Sequence, residues 1–164
     1  GGSAIAKGLE FELSIDPFMD GPFDHLSMPI RVAYTYTDAH FSNTFSSELD
    51  AWGDVEMGDA FPYLAPHQLS IVTSLEIGDV SADISGRYTS SMRTEAGQGD
   101  VNQTSATDAS VILDSGFSYL VSENIKLSLG VTNVLNGTFV VARRPYGSRP
   151  TMPRALRFTL VSEF

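Results

Sequence analysis

The chain has 164 residues, a net charge of −10, 42% hydrophobic and 18% charged residues, and no cysteine. The hydrophobic content speaks against disorder, and the acidic balance speaks against a nucleic-acid partner, whose phosphates need clustered Lys and Arg. The missing thiols exclude a disulfide scaffold, thiol catalysis and cysteine-bound zinc.

No window approaches the ~18 apolar residues of a transmembrane helix, but the strands of a membrane barrel alternate and escape such a scan. The chain opens Gly-Gly-Ser, with neither an initiator Met nor a signal peptide. The expectation is an export signal already removed, or a piece of a longer protein.

Leu9 to Ile15 alternates: Leu9, Phe11, Leu13 and Ile15 on one face, Glu10, Glu12, Ser14 and Asp16 on the other. So many acids on one face make a poor soluble core and a plausible wet lumen. Pro17 ends the strand, and Asp20-Gly21-Pro22 forms a turn. A second strand, Ile30 to Tyr36, sends Ile30, Val32, Tyr34 and Tyr36 outward and Arg31, Ala33 and Thr35 inward. Its tyrosines suit a membrane–water boundary, where an amphipathic ring is at home. Residues 38–67 are an irregular segment rich in acids and aromatics, long enough to be functional or mobile.

The third strand, Leu69 to Ile77, joins the fourth, Val80 to Met92, through the tight turn Gly78-Asp79. A second polar loop spans about residues 94–108. The fifth strand, Val111 to Val121, and the sixth, Ile125 to Val131, flank the short turn Ser122-Glu123-Asn124. A third loop, about residues 136–153, carries Arg143, Arg144 and Arg149 with Pro145, Pro150 and Pro153. In the last strand Leu156, Phe158, Leu160 and Ser162 share a face that leads to Phe164, and Ala155, Arg157, Thr159, Val161 and Glu163 share the other.

Short and long connections alternate, as they do between the two ends of an outer-membrane barrel. The fold expected is therefore all-β: an antiparallel meander of about seven strands forming part of a transmembrane barrel. The last strand ends on the periplasmic side and the first descends from outside, which puts residues 1–8 outside. Bacterial single-chain barrels have an even number of strands. The odd number expected here means either one further strand that the alternation does not reveal or, the reading favoured, that the whole chain, residues 1–164, is a C-terminal segment of a larger barrel.

Lys7-Gly8-Leu9-Glu10-Phe11-Glu12 is similar to a strand start, and Ala33-Tyr34-Thr35-Tyr36-Thr37-Asp38-Ala39 to a strand, of the TonB-dependent outer-membrane receptors, a family that further segments also resemble. Pro62-Tyr63-Leu64-Ala65-Pro66-His67-Gln68-Leu69 resembles the return into the barrel. Gly130-Val131-Thr132-Asn133-Val134-Leu135-Asn136 resembles the segment before the last loop. Arg143-Arg144-Pro145-Tyr146-Gly147 and the terminal Phe resemble the tail of the ferric dicitrate and siderophore branch.

The resemblance implies a barrel of about 22 strands around an N-terminal plug. It implies active uptake of an iron chelate or similar scarce nutrient, driven by the TonB complex, with this chain supplying only the last strands. The implied partners are the rest of the receptor chain with its N-terminal strands and plug, the TonB complex, the barrel-assembly machinery, outer-membrane lipid and the chelate. No cofactor is implied. Phe158, Leu160 and Phe164 would form the barrel-assembly signal, although Ser162 departs from the aromatic or apolar residue usual at its position.

Arg143, Arg144 and Arg149, with Tyr146, are the one dense positive cluster and suit bidentate capture of an anionic ligand. The competing reading pairs them with acidic loop groups or lipopolysaccharide phosphates. The acidic run from Glu48 to Asp59 lacks the spacing of a calcium loop and reads better as a solvated outer loop. His25, His40 and His67 are scattered, no catalytic signature is present, and an enzyme is not expected. A passive porin-like or autotransporter barrel end, and a soluble all-β binding module, remain as other readings of the same alternation.

Overall fold

A computed structural model describes residues 2–19, 26–49 and 51–163. In chain order its strands are β1 (Ala4–Ile15), β2 (Leu26–Ser27), β3 (Ile30–Phe41), β4 (Phe45–Ser46), β5 (Asp54–Val55), β6 (His67–Ile77), β7 (Val80–Thr89), β8 (Ser110–Ser122), β9 (Ile125–Thr132), β10 (Val140–Ala142), β11 (Arg149–Pro150) and β12 (Ala155–Ser162). Among the described residues no helix is long and apolar enough to cross a membrane. The long strands form one antiparallel sheet in the order β1-β3-β6-β7-β8-β9-β12, and β2 adds to β6. This is the expected meander. β1 and β12 each pair on one side only, so the sheet is an open wall and not a closed barrel.

The register explains why the alternation is so strict. One hydrogen-bonded row runs Ile15, Ile30, Thr73, Ile84, Ser115, Val131, Leu156. The neighbouring row runs Leu75, Ala82, Phe117, Leu129, Phe158. The outward sets of the long strands share this one face, and a slip of a single residue would turn a whole strand over. The exceptions are Met92, which lies beyond β7, and Val121, at a register shift between Leu120 and Ser122 where Ser122 faces Ile125. The face stays open: Phe11, Ile84, Leu127, Phe158 and Leu160 are all exposed, and no second layer covers them among the described residues. A soluble sandwich would bury such a face against another sheet. The row from Ile15 to Leu156 also starts at the last residue of β1 and ends near the first of β12. Such a stagger is what tilted barrel strands require.

The edge of the apolar band is visible on the same face. Tyr36 and His67 pair directly, and the Tyr34 hydroxyl meets His67 Nδ1 at 2.9 Å. The His67 ring stacks on Tyr34 and tilts against Tyr36. Beyond this girdle Lys7 lies opposite Asp38, and the outer face turns polar. Below it, Leu69 to Ile77 fills the ~9–11 residues that a tilted strand needs to span the hydrocarbon.

Three boundaries differ from the sequence expectation by three residues or more. β1 begins at Ala4 and β3 continues to Phe41, paired from Ala4 opposite Phe41 to Gly8 opposite Thr37. These residues stand beyond the girdle, where the apolar alternation ends. Gly8 is needed there, since a Cβ would lie 2.6 Å from the Tyr36 carbonyl oxygen. β7 stops at Thr89 and not at Met92. Ser90 N–H donates to the His67 carbonyl, and Met92 N–H donates to Thr107 Oγ1 at 2.9 Å, which draws the chain into the loop.

At the end with short connections, Gly78 takes φ +54 between Ile77 and Val80. The expected turn at Asp20-Gly21-Pro22 lies outside the described residues. Next to it, Asp16 is not a free lumenal acid. Its carboxylate accepts from Ser27 Oγ at 2.7 Å, Phe18 N–H at 3.0 Å and Met28 N–H at 3.2 Å. The Ser27 bond, then the Phe18 bond, outweigh partial burial and hold the carboxyl below its ordinary value. A depressed carboxyl stabilises the fold above its unfolded pKa of about 4, and that stabilisation is lost as the pH falls through the folded value. Amide exchange at Phe18 and Met28, corrected for intrinsic rate, is thus expected to hold constant from neutral pH to about 4 and quicken below. Asp16→Asn should flatten the profile. Protection that rises on acidification would contradict the staple.

Candidate functional site

The long connections, residues 42–66, 90–109 and 133–154, gather at one end of the sheet. At this end lie the buried apolar residues among those described: Phe41, the last residue of β3, with Val55 and Ala65 of the first loop. The first loop folds back through the small β4–β5 hairpin over Phe41. Phe61 stacks on Phe41 with ring centroids 4.1 Å apart, and Phe45 and Trp52 meet Phe41 edge-on at 5.3 and 5.4 Å. The aromatics that look irregular in sequence are thus the loop's own core. Asp59, 6% exposed, accepts from Glu56 N–H at 2.9 Å and Gln98 Nε2 at 3.1 Å. The acidic run is tied into loop structure, and no group of acids and histidines that could hold a metal ion occurs among the described residues. Asp50 lies outside them, as does His25. His40 approaches Asp38 at 3.8 Å on the outward face.

The third loop is anchored by Asn133, 3% exposed and at φ +51. Its N–H donates to Asp114 Oδ1 at 2.7 Å, its Nδ2 donates to the Gly137 and Met152 carbonyls at 2.9 Å each, and its Oδ1 accepts from Gly137 N–H at 3.1 Å. Both strands of the loop's base therefore close on one side chain. Sequence reading noted Asn133 only as part of a family-like segment.

The predicted ligand cluster sits on the β10–β11 hairpin of this loop. Arg143 donates to the carbonyls of Ala106 and Gln103 and to Ser148 Oγ. Arg144 pairs with Glu95, and Arg149 reaches the Arg144 carbonyl. Tyr146, 96% exposed, stands at the tip. The structure brings the four residues together, but with much of their donor capacity already used on neighbouring loops. Beside them a cleft of about 530 Å³ opens between the first and third loops, lined by Glu48, Leu49, Trp52, Tyr63, Arg144 and Pro145.

In the sequence Tyr63 is one of the aromatics of the first long loop and part of a family-like segment. It lies at φ +57, where a bulky side chain costs roughly 1–2 kcal/mol. Its hydroxyl accepts from the N–H groups of Arg144 at 2.9 Å and Arg143 at 3.4 Å, and its own N–H donates to the Arg93 carbonyl at 2.8 Å.

The face opposite the apolar one forms a polar wall below the loops. Near the loops a recess of about 540 Å³ mixes polar groups, Arg87, Asp114 and Arg157, with the apolar side chains of Ile112, Met152 and Leu156. Of the residues expected to form an assembly signal, Phe158 and Leu160 lie on the apolar face, 78% and 67% exposed, while Phe164 lies outside the described residues.

Comparisons with known proteins agree with this geometry. A family model described as TonB-dependent receptor-like β-barrel matches residues 1–134. Among solved structures, the siderophore receptor PiuA from Acinetobacter baumannii superposes with a TM-score of 0.74 at 18% identity, over 98% of this chain and 22% of that one. The outer membrane transporter YddB from Escherichia coli gives 0.69 at 12% identity, over 98% of this chain and 26% of that one. The ferric-catecholate import receptor Fiu from E. coli K12, in its closed form, gives 0.57 at 16% identity, over 97% of this chain and 28% of that one. At such identities the likeness speaks to the fold, and the chain spans only about a quarter of each relative. No curated protein matches by sequence. On the match over residues 1–134, together with the one-faced antiparallel wall, the chain belongs to the TonB-dependent receptor-like β-barrel family.

Proposed function

We propose that this chain is the C-terminal part of the barrel of an outer-membrane transporter that takes up an iron chelate by a TonB-driven cycle. The observation that carries the membrane reading is the single apolar face, carried across every long strand with one register shift at Leu120–Ser122 and backed by a more polar one. In this reading the wall spans the outer membrane, the loops at 42–66, 90–109 and 133–154 face outside, and β12 ends toward the periplasm. The siderophore and ferric-catecholate receptors among the structural relatives supply the cargo class. Tyr146 at the hairpin tip, with Arg144 and Arg149 behind it and Arg143 holding the hairpin to the second loop, is the proposed ligand contact. Phe158, Leu160 and Phe164 are proposed to guide barrel assembly. The role is carriage and not catalysis.

The test is uptake by cells that depend on the full-length receptor for iron. Radioiron-loaded catecholate, hydroxamate and citrate chelates are supplied with and without an uncoupler. Accumulation of one of them against its gradient, abolished by the uncoupler and by loss of TonB, is the expected result. Flux that merely equilibrates and ignores the uncoupler would replace this reading with a passive porin.

A further inference from the structure

We propose that Tyr63 is the pin that makes the three outer loops a single rigid lid. The second loop is joined to each of the others. Toward the first loop, Ala60 N–H donates to the Gly97 carbonyl at 2.9 Å and Ala96 N–H to the Ala51 carbonyl at 2.9 Å. Toward the third, Asp108 N–H donates to the Val140 carbonyl at 2.8 Å, and Val140 N–H returns to Asp108 Oδ2 at 2.7 Å. Arg143 adds its bonds to Ala106 and Gln103 on that same side.

Two joints in series still let the first and third loops swing about the second. Tyr63 closes the remaining side of the triangle. It belongs to the first loop, its N–H holds the second at Arg93, and its hydroxyl receives two consecutive N–H groups of the third. The Arg144–Glu95 ion pair crosses at the same corner, but both groups are partly exposed and screened, so it is the weaker tie.

The backbone of Tyr63 points the same way. A left-handed φ favours glycine, and a tyrosine there is a departure that asks for a reason. The hydroxyl is that reason, since no shorter side chain carries an acceptor across to Arg143 and Arg144. The cleft lined by Trp52, Tyr63 and Arg144 lies at this corner, so the pin also sets its shape. The lid then opens as one body, with the cleft carried intact. This inference deepens the transport reading, on which the meaning of opening rests, while its test does not use transport.

Spin labels are placed in the full-length receptor at Met57 and Val141, and in a second preparation at Val101 and Val141, all exposed side chains. Distance distributions are measured by double electron–electron resonance without any chelate. Both are expected to be narrow in the parent protein. Y63F, which removes only the hydroxyl, is expected to widen the Met57–Val141 distribution at least twofold and leave Val101–Val141 unchanged. Y63G should do the same although it relieves the backbone. If Y63F and Y63G both stay narrow, Tyr63 is merely a turn residue and the pin is refuted. If both distance pairs widen together, Tyr63 is a folding residue of the loops, which refutes it equally. Because no chelate is present, a failure of the uptake assay leaves these distances unaffected.

Discussion

Asn133→Ala is expected to destabilise the base of the loop 133–154 by about 3–4 kcal/mol. The side chain makes one accepted and two donated hydrogen bonds, to Gly137 on both counts and to Met152, at a position almost closed to water. Each net bond contributes on the order of 1 kcal/mol, and leaving its buried partner unpaired adds to the loss. The left-handed backbone adds roughly another 1 kcal/mol, because Asn tolerates φ +51 better than Ala does.

That last term gives a diagnostic order. Asn133→Gly loses the same side-chain bonds but not the conformational fit, so it should be about 1 kcal/mol milder than alanine. Asn133→Asp keeps shape and one acceptor, yet turns a donor toward the Gly137 and Met152 carbonyls into an acceptor, beside the Asp114 carboxylate. It should be the worst of the three. The rate of proteolytic cutting within residues 133–154 of the folded receptor reads the order directly. Alanine and glycine variants cut no faster than the parent would show that the anchor lies elsewhere.

The outward and inward sets of the long strands are legible because a wall with one apolar face punishes a break in alternation. A lipid-facing Glu or a slipped register is costly along the entire strand, so within the long strands the pattern recurs at nearly every second residue, broken by the register shift at Leu120–Ser122. Where that pressure ends, the signal ends. Ala4, Ala6 and Gly8 pair with Phe41, Ala39 and Thr37 through backbone bonds alone, and nothing in their side chains announces a strand. The loops were legible as loops but not as structure. Trp52 and Phe61 read as scattered aromatics, and only the fold shows Phe41 between them. Arg143 reads as a free cation for the same reason. Its partners are main-chain carbonyls some forty residues away, and carbonyls leave no mark in a sequence. Tyr63 and Asn133 share one feature that a sequence does not print, a left-handed backbone at a residue other than glycine.

Arginine scanned along one outward-facing strand should distinguish lipid from water. Ile84 lies midway along β7 on the apolar face, between Thr73 and Ser115. Ile84→Arg is expected to cost about 2–4 kcal/mol in a bilayer. Val80 sits beside the short turn and Tyr88 within reach of the girdle, so arginine at either should cost only about 0–1 kcal/mol. Ser85→Arg, one residue on and facing the polar wall, should be near neutral. The cause is depth. A guanidinium near an interface snorkels to headgroups and water, whereas one at the midplane must thin the bilayer or draw water inward. Unfolding of the full-length receptor in phospholipid vesicles, followed by the shift of its unboiled gel band across a denaturant series, measures all of them. A water-soluble sheet packed on a hidden partner predicts something else. Ile84, Val80 and Tyr88 would all lie in one interface, and the loss would follow how tightly each is packed instead of its distance from the girdle of Tyr34, Tyr36 and His67. A flat response along the apolar face would therefore remove the membrane from the account, and with it the reason for so regular an alternation.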